Sequence, residues 1–322
     1  MGEDVSSQSK YETNWPKVLF FIYLHMTAIY SIVLIFTQVK VLTTLFCFVL
    51  VSFGMLSITT GCHRLWSHGS YKAAWQLRLF LMLLHTLVCQ GTIYDWVLKH
   101  RLHHKYHGTD NDPYNYKRGF QFAQIVCHCI SNPSYKKNEA EIDMSDIEKD
   151  LIVMFQKNFY WLLMPVLGVI IPINAPIEYW GESMGMSIMV IGFLRVTLLL
   201  HASWFVNTAT IVWGYDPLDK KSTDTNLIFF VTKSLWPQYH YLLPWDYKSG
   251  EYGTYGAGCS TAFIRVWAAL GLAYDLRTIN SSGIRSALAE AAKTGKPVTD
   301  CLNTARVVAP LSDVIEKDKF SL

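Results

Sequence analysis

The sequence predicts an all-α integral membrane protein. Four transmembrane helices form two hairpins, and a cytosolic helical cap carries the histidine clusters. Three observations predict this. Four apolar stretches reach the roughly 20 residues needed to cross a bilayer. Hydrophobic residues make up 51% of the 322 and charged residues only 16%, with a mean hydropathy of +0.18. Nearly all Lys and Arg, and every clustered histidine, fall on one side of those stretches, which should be the cytosolic side.

Residues 1–15 form a polar leader, 16–278 the membrane domain, and 279–322 a cytosolic tail. The spans are Val18–Phe36, Val41–Thr60, Phe159–Glu178 and Met186–Val206. Short links, Thr37–Lys40 and Tyr179–Gly185, make each pair a hairpin. The first span has no small-residue cleavage site and is long enough to cross, so it should act as an uncleaved signal-anchor. His25 and Arg195 lie inside spans and need a polar neighbour or a route to the interface. A fifth apolar run, Trp75–Val88, is interrupted by Gln76 and Arg78. As one more crossing it would split the histidine clusters across the bilayer, so it reads as an interfacial or buried helix. Lys136–Asp150 is a solvated loop or helix, and Ile284–Lys293 a short helix in the tail. The 11 Trp and 18 Tyr suit membrane interfaces. A net charge of +3 gives no case for nucleic acid, and seven scattered Cys give no disulfide scaffold. Cys127-His128-Cys129 matches no standard zinc spacing and reads as ordinary helix or loop.

The chemistry lies in His63-Arg64-Leu65-Trp66-Ser67-His68, in His100-Arg101-Leu102-His103-His104, and in His240 before Pro244-Trp245-Asp246-Tyr247. Imidazole-rich constellations suit iron, zinc or copper. Residues three and four apart share a helix face, so His100, His103 and His104 can point into one pocket, and adjacent His103 and His104 can serve two metals. His63 and His68 are five apart, about 140° around an ideal helix. They fit different metals, or they flank a helix end.

The two clusters resemble the first two histidine boxes of membrane acyl-CoA desaturases. The likeness continues in order through Thr109–Pro113, Asp143–Asp146, Val153–Gln156, Ser203–Asn207, Pro244–Tyr247 and Ala268–Asp275. It covers about residues 15–278, and the chain resembles the Δ9-type stearoyl-CoA desaturases, in particular an insect member. The resemblance implies two irons on nine histidines, with an asparagine acting through water, O2 as oxidant and cytochrome b5 as electron donor. It implies removal of two hydrogens from a fatty acyl-CoA, in the endoplasmic reticulum membrane, with both termini cytosolic. Carried over residue by residue, the metal ligands are His63, His68, His100, His103, His104 and His240, with Asn207 through water. Gln90, Trp96, Lys99 and Lys136 are the candidate acyl-CoA contacts.

The third box departs from the family. His-Asn-Tyr-His-His becomes Pro237-Gln238-Tyr239-His240-Tyr241, and the fourth-span histidine becomes Ile211. Ile cannot ligate and Pro offers only a carbonyl, while Tyr241 can bind ferric iron as phenolate. Three readings stay open. One is an active desaturase with an altered metal shell. Another is a non-catalytic desaturase-like protein that binds acyl-CoA or pairs with, and modulates, an active desaturase. The third is a mononuclear or non-iron site built from the first two boxes.

Overall fold

The computed structural model describes residues 11–131, 133–213, 240–241, 243–249, 251, 256 and 258–310. Four helices are long and apolar enough to cross a membrane: Trp15–Thr37, Val41–Ser67, Leu151–Trp180 and Met184–Ala209. They match the four expected spans. Each turns large apolar side chains outward, as Phe36 at 83% and Trp161 at 81% exposure illustrate, because lipid rather than core covers that surface. The chain is thus a multi-pass, all-α membrane protein. Its strands, among the described residues, form three two-residue antiparallel pairings: Glu12–Thr13 with Ile130–Ser131, Lys72–Ala73 with Ala273–Tyr274, and Arg277–Thr278 with Val307–Val308.

Local chemistry sets the helix ends. The Asn14 side chain accepts from the Lys17 backbone N–H, and Pro16 occupies the first turn of the first span. At the far end of the hairpins the two links dock on one another. Glu182 Oε2 accepts from the Lys40 backbone N–H at 2.9 Å and from the Thr43 hydroxyl at 2.6 Å. Lys40 Nζ donates to the carbonyls of Trp180 and Gly181 at 2.8 and 2.7 Å. These charges face partners rather than hydrocarbon, as polar groups at a bilayer edge must.

Both intramembrane polar residues find partners. His25 Nε2 on the first span lies 2.8 Å from His201 Nε2 on the fourth. Arg195 is fully buried and donates to the carbonyls of Ile191, Leu87 and Gly168. The backbone approaches closely there. A Cβ on Gly168 would collide with Cys89 Sγ and lie 3.1 Å from the Thr86 carbonyl.

The fifth apolar run is a helix, Trp75–Val88, and it turns by 87° into a second helix, Ile93–Tyr106. Cys89 takes the left-handed conformation at the corner, with φ 62°, and Thr92 caps the new helix by accepting from the Asp95 backbone N–H at 3.0 Å. The third span pins this corner. Gln156 accepts from the Ile93 N–H at 2.8 Å, and the Tyr160 hydroxyl accepts from the Gly91 N–H at 2.8 Å. The bend carries the second histidine cluster back over the end of the second span. Cys127-His128-Cys129 lies in a short 3-10 turn, Val126–Cys129, where the His128 ring stacks on Trp204 at 4.0 Å. The tail helix spans Ser281–Thr294, longer than expected. Asn280 caps it by accepting from the Gly283 N–H at 2.7 Å.

Candidate metal centre

The second span does not stop at Thr60. It continues unbroken to Ser67, and from Ser57 onward its turns widen into a π-helix. Hydrogen bonds there run five residues back: the Ser67 hydroxyl reaches the Cys62 carbonyl at 2.7 Å, and the His68 N–H reaches the His63 carbonyl at 3.2 Å. In such a turn residues five apart stack rather than diverge. The His63 and His68 rings accordingly lie 4.8 Å apart. The two rings face one pocket rather than diverging by about 140°, because the helix is wider than the ideal one, and His68 stands at the helix end as its cap.

His100 and His104 come from the bent-back helix, and His240 from a separate segment. His68 Nε2 lies 2.8 Å from His100 Nε2, and His63 Nε2 lies 3.3 Å from His240 Nε2. Together His63, His68, His100 and His240 bring one nitrogen each within 4.8 Å of the others. The His104 ring faces the same group, 4.4 Å from His68 and 5.0 Å from His240, and its buried Nε2 has no hydrogen-bond partner among the described residues. A cavity of about 10 Å³ lies among His63, His100, His104 and His240, also lined by His103, Val206, Tyr241 and Glu251.

The outer nitrogens decide what the inner ones offer. His63 Nδ1 donates to Glu251 Oε1 at 3.0 Å, His100 Nδ1 to Asn207 Oδ1 at 2.8 Å, and His103 Nδ1 to Asp112 Oδ1 at 2.8 Å. A carboxylate can only accept, so the proton sits on Nδ1 and Nε2 keeps its lone pair. Carboxylate or carbonyl partners behind imidazoles are how metal-binding histidines are oriented. Nitrogens about 3 Å apart with lone pairs turned inward also suit bonds of about 2.0–2.1 Å to one transition ion. The donor set therefore fits a metal. Burial, and then the neighbouring imidazoles, hold His68 and His240 well below the usual histidine range, which keeps both neutral and able to ligate.

Glu251 anchors this arrangement. Arg64 clamps it with Nε to Oε1 at 2.6 Å and Nη2 to Oε2 at 3.1 Å, and Arg64 Nη1 donates to the Tyr247 carbonyl and the Thr261 hydroxyl, both at 2.9 Å. Burial pushes the Glu251 carboxyl up, but Arg64 and His63 outweigh it and bring it down to about 2. Arg101 plays a similar part for the second cluster. It grips Asp146 with two bonds of 2.7 Å and the Trp66 carbonyl at 2.8 Å, tying the two clusters together.

Tyr241 stands inside this group. Its hydroxyl lies 2.9 Å from His103 Nε2 and its ring stacks on His107 at 3.6 Å. Ile211 lies on the helix Arg195–Trp213 that continues the fourth span; Pro237 lies outside the described residues. Asn207 touches His100 directly. Trp96 walls the cage, stacked on His100 at 4.9 Å with its Nε1–H donating to Ser203 Oγ at 2.9 Å. Gln90 is half-buried, and Lys99 and Lys136 are exposed. A separate apolar cavity of about 590 Å³ lies between the second span and the helix Cys259–Ala269. It is lined by Phe48, Phe53, Met55, Leu56 and Phe263, and it reaches Arg64 and Glu251.

The sequence reading missed Glu251, Arg64, Asp112 and His107 as site residues. His107 was accessible to it, four residues after His103 and so on the same helical face. Asp112 lay within a recognised motif without a role. Glu251 carried no signal, being 187 residues from Arg64.

No family model matches the chain. It is 42% identical over 289 residues to Acyl-CoA Delta12-desaturase of Acheta domesticus, covering 88% of this chain and 81% of that protein. It is 42% identical over 275 residues to Acyl-CoA Delta-9 desaturase of the same species, covering 84% and 77%. To the Stearoyl-CoA desaturase of Sus scrofa it is 36% identical over 290 residues, covering 89% and 79%.

Proposed function

Because the chain belongs to the acyl-CoA desaturase family, we propose that it takes a fatty acyl-CoA at the membrane boundary and introduces a double bond into the acyl chain at the histidine cage. The observation that carries this is the set of imidazoles fixed from behind by Glu251, Asn207 and Asp112. His63, His68, His100, His103, His104 and His240 are the residues to hold iron. Iron, when bound, supplies the oxidation that side chains cannot perform. The chain's own groups do the rest. Arg64 and Glu251 fix His63, Asn207 fixes His100, and Trp96 closes one wall against water. A cavity of about 590 Å³ has the size and apolar lining of a small-ligand pocket and suits an alkyl chain, with Gln90, Lys99 and Lys136 left for the CoA head. With this reading go cytochrome b5 as electron donor, the endoplasmic reticulum membrane as location, and cytosolic termini.

Expression in cells lacking their own desaturase tests it. New double bonds in cellular lipids, lost on His103→Ala, are expected; no product across a broad panel of acyl chain lengths overturns the reading.

One observation favours a second reading. The Tyr241 hydroxyl occupies His103 Nε2 at 2.9 Å, where the family has another histidine. On that reading the protein binds acyl-CoA without turnover, or pairs with an active desaturase and modulates it. Altered product yield from a co-expressed desaturase, with none from this chain alone, is its signature.

A further inference from the structure

Asp112 is fully buried, and its two carboxyl oxygens are used unequally. Oδ1 accepts from His103 Nδ1 at 2.8 Å and from the Tyr114 backbone N–H at 2.9 Å. Oδ2 is equally buried and accepts no hydrogen bond from any described residue. A buried carboxylate oxygen without a donor is costly, and it calls for a partner. What faces it is His107 Nδ1, at 3.8 Å. That is too long for a hydrogen bond. It does fit two ligands on one ion, since bonds of about 2.0–2.2 Å hold opposed donors as far as roughly 4 Å apart. His103, His107 and Asp112 each bring a donor atom within 4.8 Å of the others. The His107 ring is set in place by stacking on Tyr241 at 3.6 Å and on Tyr116 at 5.0 Å.

We propose that His103, His107 and Asp112 bind a second divalent transition-metal ion, beside the one in the cage of His63, His68, His100 and His240. Two imidazoles and one carboxylate, with positions left open, suit ferrous iron, with zinc as the competitor. His107 and Asp112 thereby take over ligation that Pro237 and Tyr241 cannot supply as histidines. Protons balance within the site. When His103 binds through Nδ1, its one ring proton resides on Nε2 and is shared in a hydrogen bond that the Tyr241 oxygen accepts, the hydroxyl turning its own hydrogen away. The imidazole stays neutral in both states.

The inference builds on the reading of the cage as a metal centre, and one experiment separates the two. The full-length chain, purified in detergent, is loaded with Fe(II) without oxygen, desalted, and its iron counted by elemental mass spectrometry. His107→Phe keeps the aromatic stack and removes the ligand; the pair His68→Ala and His240→Ala empties the cage. Two irons in the natural chain, one in His107→Phe and one in the cage variant support the proposal. An equal count in the natural chain and His107→Phe overturns it, and if the cage variant then loses iron the cage reading still stands. No iron in any chain overturns both. If metal-free His107→Phe melts below the natural chain, Co(II) titration of His107→Gln replaces it. Loss of part of the visible cobalt absorption supports the site, and an unchanged spectrum overturns it.

Discussion

Glu251 concentrates the electrostatics of the site. It receives two bonds from Arg64 and one from His63, so replacing the carboxylate by an amide unbalances both partners. Glu251→Gln presents an oxygen or an N–H to His63, and only the oxygen preserves the inward lone pair. Losing such an orienting partner lowers metal affinity by about 10–100-fold. Competition against a chelator of known strength is the measurement, and an affinity unchanged for Glu251→Gln would show that Arg64 and His63 manage without it. Tyr241→His acts in the opposite sense. It exchanges a hydroxyl that bonds His103 at 2.9 Å for a ring nitrogen, and metal content should rise. Of this chemistry the five clustered histidines were legible from spacing and His240 only through the family resemblance, while His107 was within reach of the spacing rule. Glu251 was not, because pairing across 187 residues leaves no periodic trace in one chain.

The helices show where periodicity informs and where it misleads. Hydropathy located all four spans, since lipid imposes a length and an apolar surface that any sequence must display. It ended the second span early, at Thr60, because Gly61-Cys62-His63-Arg64 reads as polar. Tertiary partners, not lipid, complete that helix: Arg64 is 2% exposed and Cys62 fully buried. Nor does residue pattern distinguish a π turn from an α turn, so the convergence of His63 and His68 was hidden. The corner at Cys89 depends on close approach by the third span. Gly168→Ala pushes a methyl into Cys89 Sγ and displaces the carbonyl that Arg195 binds. Overpacking of this kind costs about 1–3 kcal/mol. A lower melting temperature in detergent is expected, with iron content unchanged if the loss stays local.

At the scale of the molecule, scaffold and catalyst are separable. The spans, the corner and the Arg101–Asp146 tie hold six histidines in one region, while Ile211, Pro237 and Tyr241 stand where the family has three more. Restoring those three as histidines should raise double-bond formation in lipids of a desaturase-deficient host. Equal activity in the natural and restored chains would mean that the natural ligand set suffices. The opposite end of the molecule has its own dependence. Glu182→Gln weakens the latch to Lys40 and Thr43 and should lower the melting temperature without altering bound metal, because that latch joins the ends of the hairpins remote from Ser67.

The same latch bears on how the protein is made. Lys40 and Glu182 are separated by 142 positions, and synthesis proceeds at about 5–20 residues per second. The first hairpin therefore waits in the translocating membrane for roughly 7–30 seconds before its counterpart emerges. Throughout that interval His25 and Thr43 have no access to His201 and Glu182. A chain arrested before Glu182 therefore keeps a first hairpin whose Lys40 N–H and Thr43 hydroxyl lack the acceptor they have in the finished protein.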